Sequence, residues 1–124
     1  MAATLAAWLT VGASLPWVWG QTDCTIWVAD WCCVHFGHDP AAAFRGMYAC
    51  EAGAERLIAA GLARTIGPWM APLRPTAAAR AGDVGVVTIR GREVAAICTG
   101  PAWAVRTQRG LFEGPLKPII AWGD

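Results

Sequence analysis

The segment from Asp23 to Gly37 limits the possible folds of this chain more than any other. Asp23 suits the capping position of a helix, where a side-chain oxygen accepts from free backbone N–H groups, and Gly37 suits the stop. Between them Cys24–Phe36 contains neither Pro nor Gly. Cys24, Val28, Trp31 and His35 share one helical stripe, yet Ile26, Trp27, Cys32 and Cys33 are apolar on the other sides. A helix that is apolar nearly all round must be covered all round. Cys24–Phe36 is therefore expected to be a central buried helix, and the rest of the chain has to supply its cover.

The flanking patterns indicate what that cover is. Ala2–Val11 has good helix formers, an apolar stripe at Leu5, Trp8 and Leu9, and a stop at Gly12. Ser14–Thr22 reads as a loop. Asp39-Pro40 opens a short helix over Ala41–Phe44, closed by Gly46. Glu51–Ala60 is a further helix with Leu57 and Ile58 inward, ended by Gly61. Pro68, Pro72 and Pro75 make 66–76 a loop. After Gly82 the period changes. Val84–Ile89 and Val94–Thr99 are dense in β-branched residues around the turn Arg90-Gly91-Arg92, and short strands follow at Trp103–Arg106, Leu111–Phe112 and Ile119–Trp122. Helices followed by an antiparallel meander define an α+β domain rather than alternating βαβ units. The 124 residues suit one domain, with no internal repeat or linker.

Composition narrows the function classes. The chain is 56% hydrophobic and 15% charged and carries eight Trp, more than a core of this size needs. Aromatics of that size are enriched where proteins meet, so some Trp are expected at an interface with another protein. Residues 1–44 hold three acids and no Lys or Arg, whereas 45–124 hold ten bases against six acids. The bases are scattered singly from Arg45 to Lys117, without the stripe that tracks phosphates, so nucleic acid is not an expected partner. Ala2–Ala13 is apolar and small, but it lacks the basic start of a secretory leader. No stretch approaches the ~18 apolar residues needed to span a bilayer.

The five cysteines (Cys24, Cys32, Cys33, Cys50 and Cys98) are odd in number and lack framework spacing, which points to reduced thiols in a protein made in a cytosol. Cys32, Cys33, His35 and His38 do not form the separated ligand pairs of a structural zinc site, and adjacent cysteines on a helix point about 100° apart. No metal or cofactor is expected. Asp23 and Asp39 read as caps and Asp83 as a turn residue.

The segment Pro16-Trp17-Val18-Trp19-Gly20-Gln21-Thr22-Asp23-Cys24 carries the chemistry. A Trp-Gly loop followed by Asp-Cys at the start of a buried helix resembles the nucleophile region of NlpC-type, papain-like cysteine peptidases. Ala81-Gly82-Asp83-Val84 resembles the Gly-Asp turn that opens their sheet, and Ile97-Cys98-Thr99-Gly100 the end of their next strand. A closer resemblance is to small proteins encoded among the tail genes of siphophages and gene-transfer-agent-like prophages. It rests on Gly37-His38-Asp39-Pro40-Ala41, Arg45-Gly46 followed by Tyr48, the late Gly-Asp strand pair and Ala121-Trp122. The resemblance implies a truncated papain-like (NlpC-type) fold, with N-terminal helices and a central buried helix on a small antiparallel sheet. It implies Cys24 as the candidate nucleophile, since a helix N-terminus favours thiolate.

The departures from that pattern bear on activity. In the active peptidases a His opens the strand after the Gly-Asp turn. Counting back from Gly100 puts that place on Val94, with Glu93 beside it. The third, orienting group falls near Trp103–Thr107, where Arg106 and Thr107 are the candidates. No His follows His38, and His35 lies about 16 Å along the helix from Cys24 at 1.5 Å per residue. Neither His reaches the thiol. The resemblance therefore implies a vestigial Cys24 and a structural or adaptor component of a phage-type tail tip. Such a protein is made in the host cytoplasm and docks by its Trp side chains onto hub, baseplate or fibre proteins. The alternatives are a working hydrolase of peptidoglycan peptides with Cys24 as nucleophile, and a chaperone of tail assembly.

Overall fold

The computed structural model describes residues 4–124. Four helices come first in the chain: α1 (Leu5–Ser14), α2 (Cys24–Phe36), α3 (Glu51–Leu57) and α4 (Leu62–Ile66). The strands are β1 (Arg74–Pro75), β2 (Val84–Ile89), β3 (Arg92–Cys98), β4 (Trp103–Thr107), β5 (Gly110–Gly114) and β6 (Pro118–Gly123). They form one antiparallel sheet in the order β1-β6-β2-β3-β4-β5. The meander β2 to β5 runs outward, and β6 returns to pair with the free side of β2. The expected α+β class, with helices preceding an antiparallel sheet, is what the chain adopts.

The central helix has the expected bounds and both expected caps, but it is not covered all round, because the sheet covers one side and Cys33, Val34 and His35 are exposed. Asp23 accepts from Thr25 N and Ile26 N, and Gly37 closes the helix at φ +70° in the left-handed region that glycine adopts without strain. Trp27, Val28, Trp31 and Cys32 pack on Val84, Val86, Ala95, Ile97, Ala104 and Trp122, the inner face of the sheet. The indole of Trp31 donates to Gly82 O at 2.8 Å, tying the helix to the turn before β2. The other face of the sheet, with Val87, Ala96, Cys98, Trp103, Val105 and Ala121, is covered by loop residues that include Ala79 and Leu116.

Several boundaries differ from the sequence reading. Residues 1–3 of the expected Ala2–Val11 helix lie outside the described residues, and α1 continues through Gly12 to Ser14. Gly12 is a contact rather than a stop. A Cβ there would sit 2.6 Å from Trp27 Nε1, so only glycine lets α1 approach the central helix this closely. Gly12→Ala is expected to lower stability by about 1–3 kcal/mol through overpacking, read as a lower urea midpoint at unchanged slope.

The short helix expected over Ala41–Phe44 is instead a series of turns. Ala41 O accepts from both Phe44 N and Arg45 N, and nothing propagates beyond that. Asp39 does cap, accepting from Ala41 N, but its carboxylate mainly binds Arg45, which also reaches Asp30. α3 stops at Leu57 rather than Ala60, with Leu57 and Ile58 only half-buried. The stretch 66–76 is not all loop, since α4 ends at Ile66, a 3₁₀ turn spans Gly67–Trp69, and Arg74–Pro75 pairs with β6 as an edge strand. Proline is tolerated there because an edge position need not donate.

Of the eight Trp, four are buried (Trp27, Trp31, Trp103 and Trp122), three are half-buried (Trp8, Trp17 and Trp19), and Trp69 is 48% exposed. Half of the Trp are therefore fully in the core. Trp103 and Trp122 are 6% and 3% exposed and face inward, so neither can serve as a docking side chain.

Candidate functional site

Cys24 is the first residue of α2 and opens onto a cleft of about 340 Å³. Trp17 and Trp19, edge to face at 5.1 Å, form one wall, and Tyr48 and α3 form the other. The floor comes from β3 and β4. The peptidase resemblance grouped Cys24, Glu93, Val94, Arg106 and Thr107, and all five line this cleft.

The geometry behind Cys24 is built by Asp23. This carboxylate is 2% exposed and accepts four hydrogen bonds: from Thr25 N (3.1 Å), Ile26 N (3.0 Å), Gly20 N (2.7 Å) and the Tyr48 hydroxyl (2.5 Å). One side chain thus caps the helix, closes the Trp-Gly loop and anchors the opposite wall. Gly20 stands at φ +79°, where a Cβ would lie 2.3 Å from Tyr48 O, so the loop passes flush against Tyr48. Burial pushes the Tyr48 phenol well above its ordinary range, and the hydrogen bond to Asp23 and the charges of Asp23 and Cys24 push it further.

The helix N-terminus does not win the contest over the thiol. Burial, followed by the charge of Asp23, pushes Cys24 up to about 11, and hydrogen bonding to Thr25 offsets only part of that. The favourable helix end is partly occupied, because two of its free N–H groups, those of Thr25 and Ile26, bond Asp23. Cys24 is consequently a neutral thiol at physiological pH.

The alternation along β3 separates Glu93 from Val94. Side chains alternate along a strand. Ala95 and Ile97 of β3 face α2, whereas Val94, Ala96 and Cys98 belong to the far-face cluster. The helix-facing residue at the start of β3 is therefore Glu93 rather than Val94. Glu93 Oε1 accepts from Ala63 N at 2.9 Å and so holds the start of α4. On β4 the same alternation groups Arg106 with the helix-facing Ala104, and Thr107 with the other face.

The two histidines lie at the opposite end of α2. His35 stacks on Trp31 with centroids 4.7 Å apart and packs against Gly82, and His38 Nε2 bonds Trp69 O at 2.8 Å. Neither lines the cleft. All five cysteines are free thiols, and no group of three or more His, Cys, Asp or Glu among the described residues could hold a metal ion. Tyr48 entered the sequence reading only as part of a motif. Its tie to Asp23 had no local signal, because 25 residues separate the two.

The sequence model of a family described as "Domain of unknown function (DUF6950)" matches residues 1–122. The chain belongs to the DUF6950 family. No curated protein and no solved structure matches it. In this DUF6950 domain, then, the cleft holds a capped, neutral thiol, a glutamate engaged with a neighbouring helix and a buried arginine, and it lacks an imidazole.

Proposed function

We propose that this DUF6950 domain is a structural or adaptor component of a phage or gene-transfer-agent-type tail tip, on a truncated papain-like scaffold whose hydrolytic site is degenerate. The observation that carries the non-enzymatic half is the cleft itself. A cysteine nucleophile needs a base within hydrogen-bond reach, and here both histidines sit at the far end of α2. The tail-tip half rests on the order and spacing of the motifs from Pro16 to Trp122, and the binding role on an open, Trp-walled cleft. The partners under this reading are hub, baseplate or fibre proteins.

One observation favours the second reading, a peptidoglycan-peptide hydrolase. Cys24 stands at a helix N-terminus in a cleft large enough for a short peptide. The deciding experiment incubates purified protein and its Cys24→Ala variant with defined peptidoglycan peptides, followed by mass spectrometry. No Cys24-dependent cleavage is expected. Cleavage by the wild type but not by Cys24→Ala would replace the adaptor reading with the enzymatic one. Proteomics of purified particles separates a tail component, present at a fixed copy ratio, from an assembly chaperone, absent from finished particles.

A further inference from the structure

The floor of the cleft is a split in the sheet. β3 pairs with β4 only at Ile97↔Ala104 and Cys98↔Trp103, although both strands continue, β3 back to Arg92 and β4 on to Thr107. Each strand is fully paired on its other side. β2 and β3 join through the two-residue turn Arg90-Gly91, closed by Ile89↔Arg92, and β4 and β5 through Gln108-Arg109, closed by Thr107↔Gly110. In antiparallel ladders the bonded positions alternate. Counting from these turns, the backbone N–H and C=O groups of Glu93 and Ala95 point toward β4, and those of Arg106 toward β3. The ladder gives none of them a partner. The cleft lies at this parting, where Glu93, Val94, Val105 and Arg106 line it, whereas Ala95 is buried and borders a separate small cavity.

Arg106 lies beside this opening and is 2% exposed. Its Nη2 donates to Leu15 O and its Nη1 to Thr107 O at 3.2 Å, while its buried Nε has no partner. The guanidinium carbon stands 5.8 Å from the centre of the Trp17 ring. No carboxylate among the described residues pairs with it, because the ion pairs fall on Arg45 and Arg92. The acids of the cleft are otherwise engaged: Asp23 with four donors, Glu51 and Glu55 with Arg92, and Glu93 with Ala63 N. A buried guanidinium without a carboxylate is costly, and a partner's carboxylate would complete it with a charge-assisted bond.

We infer that the split between β3 and β4 is a docking slot for an extended segment of another protein, which pairs with the free strand edges and sets a carboxylate on Arg106. Strand addition of this kind draws affinity from the main chain and specificity from a few side-chain sites. The inference rests on the binding-module reading above and names its chemistry. The carboxylate is either the C-terminus of the segment or an Asp or Glu within it.

The test is a ¹⁵N–¹H titration of the full chain carrying Cys24→Ala. The probes are three pools of N-acetylated mixed-sequence pentapeptides: free acids lacking Asp and Glu, the corresponding C-terminal amides, and amides with one internal Glu. Progressive shifts of the Glu93, Ala95 and Arg106 amides are expected with one carboxylate-bearing pool, and at least tenfold weaker binding with the plain amides. Which carboxylate pool acts identifies the source. Arg106→Lys keeps a charge at the site but loses the planar fork, and it should weaken the responding pool at least fivefold while leaving the remaining spectrum folded. No shift at those three amides at millimolar peptide overturns the inference, as does equal binding of the plain amides. Turnover of a pool by the wild type would overturn the non-enzymatic reading alone, since the slot is judged on the Cys24→Ala protein.

Discussion

Replacing Asp23 with Ala is expected to lower the unfolding free energy by about 3–4 kcal/mol, more than an ordinary helix cap contributes. Loss of a capping side chain alone costs about 1–2 kcal/mol. Here the same carboxylate also satisfies Gly20 N and the Tyr48 hydroxyl, and each donor left buried without a partner adds roughly 1–3 kcal/mol. Chemical denaturation of the wild type, Asp23→Ala, Tyr48→Phe and the double variant measures this directly. Tyr48→Phe removes one donor cleanly and should cost about 1 kcal/mol. Since both changes break the same bond, the double variant should fall short of the sum by at least about 1 kcal/mol. A loss below 1 kcal/mol for Asp23→Ala, or strict additivity, would mean that this residue does not join the three elements of the cleft.

Alkylation of Cys24 at neutral pH is expected to be slower than that of a cysteine in a short peptide by roughly two orders of magnitude. Only the thiolate reacts, and an unperturbed thiol titrates near ~8.5. With Cys24 pushed up to about 11, chiefly by burial and then by Asp23, the thiolate fraction at pH 7 drops by at least a hundredfold. The rate should climb about tenfold per pH unit and keep climbing past pH 10, which simple steric blocking would not produce. The same shift has a consequence for stability. The folded protein keeps a proton that the unfolded chain gives up, so this contribution is complete below the ordinary thiol range and is lost as pH rises toward 11. Iodoacetamide labelling with peptide mapping, between pH 6.5 and 10.5, reads the profile. Labelling of Cys24 at pH 7 within a few-fold of the peptide rate would mark the thiol as activated and would favour the hydrolase reading.

Both expectations follow from one arrangement. Asp23 is where an activated thiol would want positive charge, and the helix N–H groups that would stabilise thiolate already bind a carboxylate. Here the cap that holds the loop and the Tyr48 wall in place also works against nucleophilic chemistry.

Much of this was legible along the chain, because it depends on short-range physics. The central helix could be placed from Asp23 to Gly37 since caps and breakers act within a few residues, but the all-round cover expected from its apolar sides was not found, since Cys33, Val34 and His35 are exposed. The hairpin through Arg90-Gly91 was marked by its turn residues and by β-branched strands on either side. Cys24, Glu93, Val94, Arg106 and Thr107 were brought to one cleft by the peptidase resemblance, counted along this chain. What the sequence could not determine was which side of the sheet each residue faces. A count back from Gly100 falls on Val94, whereas the strand alternation puts Glu93 on the helix-facing side, and a shift of one residue in a strand exchanges the two faces. Nor could it separate core Trp from surface Trp, since Trp103 and Trp69 are chemically the same and only packing distinguishes them. The ties of Asp23 to Tyr48 and of Arg106 to Leu15, and the parting of β3 from β4 beyond Ala104, were decided by tertiary structure. Each joins residues remote in sequence, and no local periodicity records where a ladder stops or which buried charge is left without a partner.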